Sequence, residues 1–303
     1  MTDAAPLIGF VGLGNMGRHM SRRLAEAGHK LIAFDINAAA CAEAVAHGME
    51  IAGSPREVAD RAGIVLTSLP APPVLREVLF GAQGLGTGTA VRLIIDLSTV
   101  GPALAAEIAA SLATRDIAFV DAPVSGGTAG AAAGTLAIML AGPDDALARA
   151  EPLLAVLARS QTRVGPQAGQ AQLAKLINNM LFGTHLVAAL EAMAMGVKGG
   201  LDPTRLLAVI NASSGRSYIT ETRIGPAVLH RDDQVRFATG LLHKDMQLGL
   251  TAAKETGARL WTNESAGAFI SQAMEKGFAP RDYTAMIELF EDWNGVSVLA
   301  NPA

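Results

Sequence analysis

Gly12, Gly14 and Gly17 of GLGNMG stand at G-x-G-x-x-G spacing, with Leu13, Asn15 and Met16 between them. The first glycine permits a tight turn, the second lets backbone approach a pyrophosphate, and the third lets a helix pack on a sheet. N–H groups at the start of that helix would face the phosphate charge. Asp35 closes the next apolar run, LIAFD. A carboxylate there can accept from both hydroxyls of an adenosine ribose and repels a 2′-phosphate. Ile36, Asn37 and Ala38 bring no arginine to hold such a phosphate, so NAD is expected over NADP. Lys175 and Asn179 lie four residues apart, on one face of a helix, with Asn178 beside them. They interrupt the apolar set Leu173, Leu176, Ile177, Met180, Leu181 and Phe182. A charge in such a setting is costly unless paired, and burial lowers a lysine towards the range where it serves as general acid and base. Ser125-Gly126-Gly127 offers a hydroxyl and consecutive unshielded N–H groups, a shape suited to a carboxylate, although the same tripeptide also makes ordinary turns.

These groups need a scaffold, and the hydropathy pattern supplies one. Short apolar runs at Leu7–Val11, Leu31–Asp35, Ile64–Pro70, Arg92–Thr99, Ile117–Gly127 and Thr135–Gly142 read as strands. Ala-rich helical stretches such as Ala103–Ala113 and Asp144–Leu157 separate them. Alternating strands and helices predict a mostly parallel sheet covered on both faces, with ligands outside the carboxyl ends of the strands. Leu69-Pro70, Ser98-Thr99 and Ser125-Gly126-Gly127 would then share one crevice. Near Gly165 the pattern turns helical and stays so. Gln167–Lys198 reads as one long helix, followed by helices at Pro203–Ile210, Leu241–Lys254, Asn263–Lys276 and Thr284–Trp293. The expected architecture is α/β plus all-α: a dinucleotide-binding domain over 1–165 and a helical domain over 166–303 that completes the substrate site.

Composition narrows the function classes. The 303 residues are 50% hydrophobic and 17% charged, enough to fill two cores and too apolar for a disordered chain. A formal charge of −4 without a run of Lys and Arg argues against a nucleic-acid partner. The apolar stretches look too interrupted for a membrane span. The single cysteine, Cys41, excludes an internal disulfide, and the six histidines form no helical pair with an acidic partner, so no metal is expected. The reading is of a cytoplasmic enzyme.

GLGNMG, DAPVSGG (121–127), GQAQLAKLINN (169–179) and HKDMQL (243–248) occur in an order that resembles the β-hydroxyacid dehydrogenases, over about residues 7–293. That family includes 3-hydroxyisobutyrate dehydrogenase and tartronate semialdehyde reductase. The resemblance implies a Rossmann domain, a long connecting helix and a helical domain that often contributes to homodimers or homotetramers. It assigns Lys175 as the catalytic lysine and Asn179 as the asparagine beside the substrate. It makes Ser125, Gly126 and Gly127 the substrate-carboxylate loop, and Leu69, Pro70, Thr99 and Lys244 cofactor contacts. Val74 stands where relatives often carry a polar residue near the nicotinamide, and Lys244 could instead pair with Asp245. Arg23 departs from the usual N-terminal signature and should face away from the cofactor. SSGRSY (213–218) is closer to the 3-hydroxyisobutyrate dehydrogenases, with Arg216 either at the substrate or in an inter-helix ion pair. The implied reaction is hydride transfer between NAD(H) and a small β-hydroxy acid or semialdehyde. A tartronate semialdehyde reductase and a non-catalytic NAD sensor remain as alternatives.

Overall fold

The described residues form nine strands, most of them short runs rich in Ile, Val and Leu that can bury both faces. They are β1 (Ile8–Val11), β2 (Leu31–Phe34), β3 (Glu50–Ile51), β4 (Ile64–Thr67), β5 (Leu93–Asp96), β6 (Ala118–Asp121), β7 (Val124–Ser125), β8 (Leu136–Ala141) and β9 (Ala158–Gly165). The computed structural model describes residues 6–300, and its strands form one sheet in the order β3-β2-β1-β4-β5-β6-β8-β7, with β9 on β8. From β3 to β6 every pairing is parallel. Alternate residues of single strands enter different cores. Phe10, Leu66, Ile95 and Val120 join one cluster, while Val11, Val65, Ile94 and Phe119 join another, so both faces are covered.

The covering helices are α1 (Gly17–Glu26), α2 (Ala38–Ala46), α3 (Pro55–Arg61), α4 (Pro72–Phe80), α5 (Pro102–Ala113), α6 (Gly127–Ala133) and α7 (Asp144–Ala155). Proline at the first turn of α3, α4 and α5 starts them where a missing N–H costs nothing. Two details depart from the expected pattern. Ile117–Gly127 is two strands, broken at Ala122-Pro123, and β7 runs antiparallel to β8. The polar strand β9 carries no apolar alternation to announce it, since most of its residues are exposed at the sheet edge.

The chain divides into two compact units, Met1–Lys175 and Leu176–Ala303, so the division falls inside α8 (Gln170–Lys198). By length and composition α8 is apolar enough to cross a membrane, contrary to the expectation that polar interruptions rule this out; they are too few to lower the average. Within the second unit its Leu186, Leu190 and Met193 are fully buried, as in the core helix of a globular unit. That unit continues with α9 (Pro203–Ala212), a π-helix over Thr220–Leu229, α10 (Thr239–Thr256), α11 (Thr262–Glu275) and α12 (Ile287–Asn294). Asp202 caps α9 by accepting from Arg205 N–H at 2.9 Å. Pro226 lies inside the π-helix, where it removes a donor from the ordinary ladder. A 3₁₀ turn, Tyr283–Met286, precedes α12. Phe269, Phe290 and Trp293 pack on one another, whereas Trp261 is 91% exposed.

Candidate active site

The glycine loop joins β1 to α1, and its three glycines answer to different neighbours. Gly12 has φ +96°, and a Cβ there would sit 2.3 Å from the Ser68 carbonyl oxygen. A Cβ on Gly17 would lie 1.8 Å from the Gly12 carbonyl oxygen, so α1 packs against the loop only as glycine allows. Around Gly14 nothing lies within 4 Å of that position. No side chain caps α1; Arg18 and His19 N–H donate to the Gly14 and Met16 carbonyls, so the helix begins directly beside the open side of Gly14. This open cradle, at the positive end of a helix, fits a dinucleotide pyrophosphate.

Asp35 directly follows β2 and bridges the loop: Oδ2 accepts from Leu13 N–H at 2.6 Å and Oδ1 from Asn37 N–H at 2.7 Å. Its backbone oxygen receives the Cys41 thiol. Arg23 points elsewhere, donating to the carbonyls of Val156 and Ala132.

At the ends of β4, β5 and β6 the structure shows a buried polar network that the sequence reading left unassigned. Thr67 and Ser98 hydroxyls donate to Asp96 Oδ1 at 2.7 and 2.6 Å, and Leu69 N–H donates to Ser98 Oγ at 2.9 Å. Gln172, fully buried in the first turn of α8, ties this layer together. Its Oε1 accepts from the N–H groups of Val100 and Gly101, and its Nε2 donates to Ser98 O and to Asp121 Oδ1. Asp121 Oδ2 accepts from Gly169 and Gln172 N–H. Burial pushes the Asp121 carboxyl up to about 6, with nearby Asp96 adding to it and the hydrogen bonds from Gln172 and Gly169 opposing. An amide and a carboxylate standing inside apolar stretches were the available signal. Three residues beyond Gln172 comes Lys175, only 8% exposed.

Leu69 and Thr99 thus flank this network, while Pro70 is exposed and Val74 is 40% exposed on α4. Ser125 closes β7, and the exposed Gly126 and Gly127 adopt φ +137° and +64° at the start of α6. In the second unit Asn179, one turn after Lys175 on the same helix, is 6% exposed. Its Nδ2 donates to Asp245 Oδ2 at 2.6 Å, and its Oδ1 accepts from Asn178. Lys244 lies 3.1 Å from Asp245 Oδ1, so Asp245 links Asn179 to Lys244. Arg216 is exposed, and no ion pair involves it among the described residues.

Two family profiles cover most of the chain. The NAD-binding domain of 6-phosphogluconate dehydrogenase matches residues 7–165, and the NAD-binding domain of NADP-dependent 3-hydroxyisobutyrate dehydrogenase matches 169–290. A 2-(hydroxymethyl)glutarate dehydrogenase of Eubacterium barkeri is 36% identical over 96% of this chain and 97% of its own. The chain belongs to the β-hydroxyacid dehydrogenases. Among them, the NAD-dependent L-serine dehydrogenase of Pseudomonas aeruginosa is 35% identical over 95% of this chain and 99% of its own. The solved 3-hydroxyisobutyrate dehydrogenase of Mycobacterium tuberculosis, described with L-serine, superposes with a TM-score of 0.87 at 33% identity, covering 94% and 99% of the two chains. An imine reductase of Myxococcus stipitatus, 19% identical, shares the fold alone. This family member is an NAD-dependent oxidoreductase of hydroxy acids.

Proposed function

We propose that the chain oxidises the primary alcohol of HOCH2–CH(R)–COO⁻ to the semialdehyde OHC–CH(R)–COO⁻, reversibly, with NAD⁺ becoming NADH and one proton released. The names of the relatives support this unit, since 3-hydroxyisobutyrate, L-serine and 2-(hydroxymethyl)glutarate all contain it and differ in R. The parent substrate in this reading is 3-hydroxyisobutyrate, with R a methyl group. The observation that carries the mechanism is a buried lysine one helical turn before a buried asparagine held by a carboxylate.

Bound NAD supplies the hydride acceptor; the chain supplies position and proton traffic. The glycine loop and the start of α1 hold the pyrophosphate, and Asp35 receives the adenosine ribose, which favours NAD over NADP. Leu69, Pro70, Val74, Thr99 and Lys244 complete the cofactor contacts. Ser125 Oγ and the N–H groups of Gly126 and Gly127 receive the substrate carboxylate. Lys175 Nζ, as the neutral amine, takes the hydroxyl proton; in reverse its ammonium returns it to the alkoxide oxygen. One Nδ2–H of Asn179 is spent on Asp245, and the other orients the reacting oxygen. Asp245 fixes that amide, so the donor does not have to be reoriented during reaction.

Replacing Lys175 with Ala is expected to lower kcat by roughly 10²–10⁴-fold while NADH affinity, read by titration, stays within about threefold. A variant that keeps most of its kcat would overturn the assignment. The assembly expected from the family resemblance is a homodimer or homotetramer in the cytoplasm, and sedimentation would give its size.

A further inference from the structure

Four arginines of the second unit are partly buried, and three of them rest against carboxylates. Arg231 pairs with Glu288 and Glu291, Arg236 with Asp232, and Arg281 with Glu288. Arg223, on the π-helix, differs: among the described residues no carboxylate stands within ion-pair distance of it. Its Nη2 donates to the Tyr218 hydroxyl at 3.0 Å, its guanidinium lies 5.6 Å over the Tyr218 ring, and its Nε is buried without an acceptor. One of five N–H donors is therefore committed to a protein oxygen, and a neutral one. Holding a guanidinium half out of water without a counter-charge is unfavourable.

The surroundings connect this cation to the proposed reacting centre. Tyr218 packs on Phe182 with ring centroids 6.2 Å apart, and Phe182 packs edge-on against Tyr283 at 5.0 Å. Phe182 follows Asn179 by three residues and so shares its helix face. Phe182, Tyr218 and the Arg223 fork thus contact one another in sequence, starting from the helix face that carries Asn179. Burial keeps the Tyr283 phenol well above its ordinary value despite the Arg223 charge, so no tyrosinate competes as counter-ion. Apolar rings leading to a cation suit a short carbon arm that ends in an anion.

We propose that Arg223 binds a second carboxylate, carried on the R group of HOCH2–CH(R)–COO⁻, and that Phe182 and Tyr218 line the path of the intervening methylenes. The inference rests on the substrate unit proposed above and specifies its R. The planar fork matches a carboxylate with two parallel N–H···O bonds. A methyl R leaves the guanidinium unpaired, and the ammonium of serine sets two like charges on one path.

The test compares 2-(hydroxymethyl)glutarate and 2-(hydroxymethyl)succinate with 3-hydroxyisobutyrate and L-serine on the full chain with NAD. The wild type should favour the diacids, and Arg223→Leu should lower kcat/KM for them on the order of a hundredfold, mainly through KM. Its kcat/KM for 3-hydroxyisobutyrate should change less than about threefold. Arg223→Gln and an NADH titration guard against a variant that fails to fold. Equilibrium binding of unreactive glutarate against butyrate, with NADH present, reads the same preference without turnover. Good turnover of 3-hydroxyisobutyrate, with no diacid preference and an indifferent Arg223→Leu, overturns this inference and leaves the substrate unit standing. Silence on all four alcohols removes the substrate unit instead, while selective glutarate binding would still support Arg223 as a carboxylate site. A variant that changes sedimentation but not selectivity assigns Arg223 to a contact between copies and overturns the proposal.

Discussion

Asp121 shows how one side chain can be pulled two ways. Each of its hydrogen bonds comes from a donor and suits the carboxylate, yet burial raises the carboxyl to about 6. An acid with a higher pKa folded than unfolded binds its proton more tightly in the native state, so stability falls as pH rises from about 4 to about 6. The loss is about 3 kcal/mol over that window. In Asp121→Asn this slope should vanish, measured by urea unfolding between pH 4 and pH 7. The variant should also be weaker throughout, because an amide N–H would face Gln172 Nε2. Equal slopes in variant and wild type would remove the argument. Neither Asp121 nor Gln172 draws a role from its sequence position, although both lie in the motifs quoted. Their meaning depends on strand ends far apart in the chain meeting at one helix turn. Lys175 and Asn179 were legible because they are polar residues at helical spacing in an apolar stretch, a purely local pattern. Arg223 was not legible at all: what distinguishes it from its neighbours is a missing carboxylate, which only coordinates can show.

At the scale of elements, the turn from β1 into α1 separates packing from binding. Gly17 is required by contact with the Gly12 carbonyl, whereas Gly14 faces open space. Gly17→Ala should therefore destabilise the chain by several kcal/mol, on the order of 2–4, with loss of the thermal midpoint. Gly14→Ala should leave the midpoint of the ligand-free chain within a degree or two and weaken NADH by about tenfold or more. If Gly14→Ala binds NADH as the wild type does, the cradle is not where the phosphates rest. The parallel strands and long helices were readable because each carries its own periodicity. The edge strand β9, the two-residue β7 and the π-helix were not, since the first is polar and the others exist through tertiary context. The helix α8 is the converse case: its mean hydropathy suffices for a membrane although Lys175, Asn178 and Asn179 interrupt it, because a few polar residues lower the average of a long apolar helix only a little.

At the scale of the whole molecule, the sequence divides the labour cleanly. The unit ending at Lys175 contains the dinucleotide signature, and the unit beginning at Leu176 contains Asn179, Lys244, Asp245 and the Arg223 cluster. The change from strand-helix alternation to uninterrupted helix was visible in hydropathy alone, but which residues of each unit touch one another was not. Both tryptophans of the chain, Trp261 and Trp293, fall in the second unit, while the glycine loop is in the first. Reduced nicotinamide absorbs where tryptophan emits. The protein is therefore born with a donor dye on one unit and acquires an acceptor dye on the other whenever NADH binds. Tryptophan emission should drop on NADH addition with matching sensitised nicotinamide fluorescence, and both changes should disappear in denaturant. Because Trp261 is almost fully exposed and Trp293 lies in an aromatic cluster, Trp261→Phe and Trp293→Phe would give two separate rulers. Followed through a catalytic cycle, they would report the arrival and departure of the reduced cofactor without a single attached label.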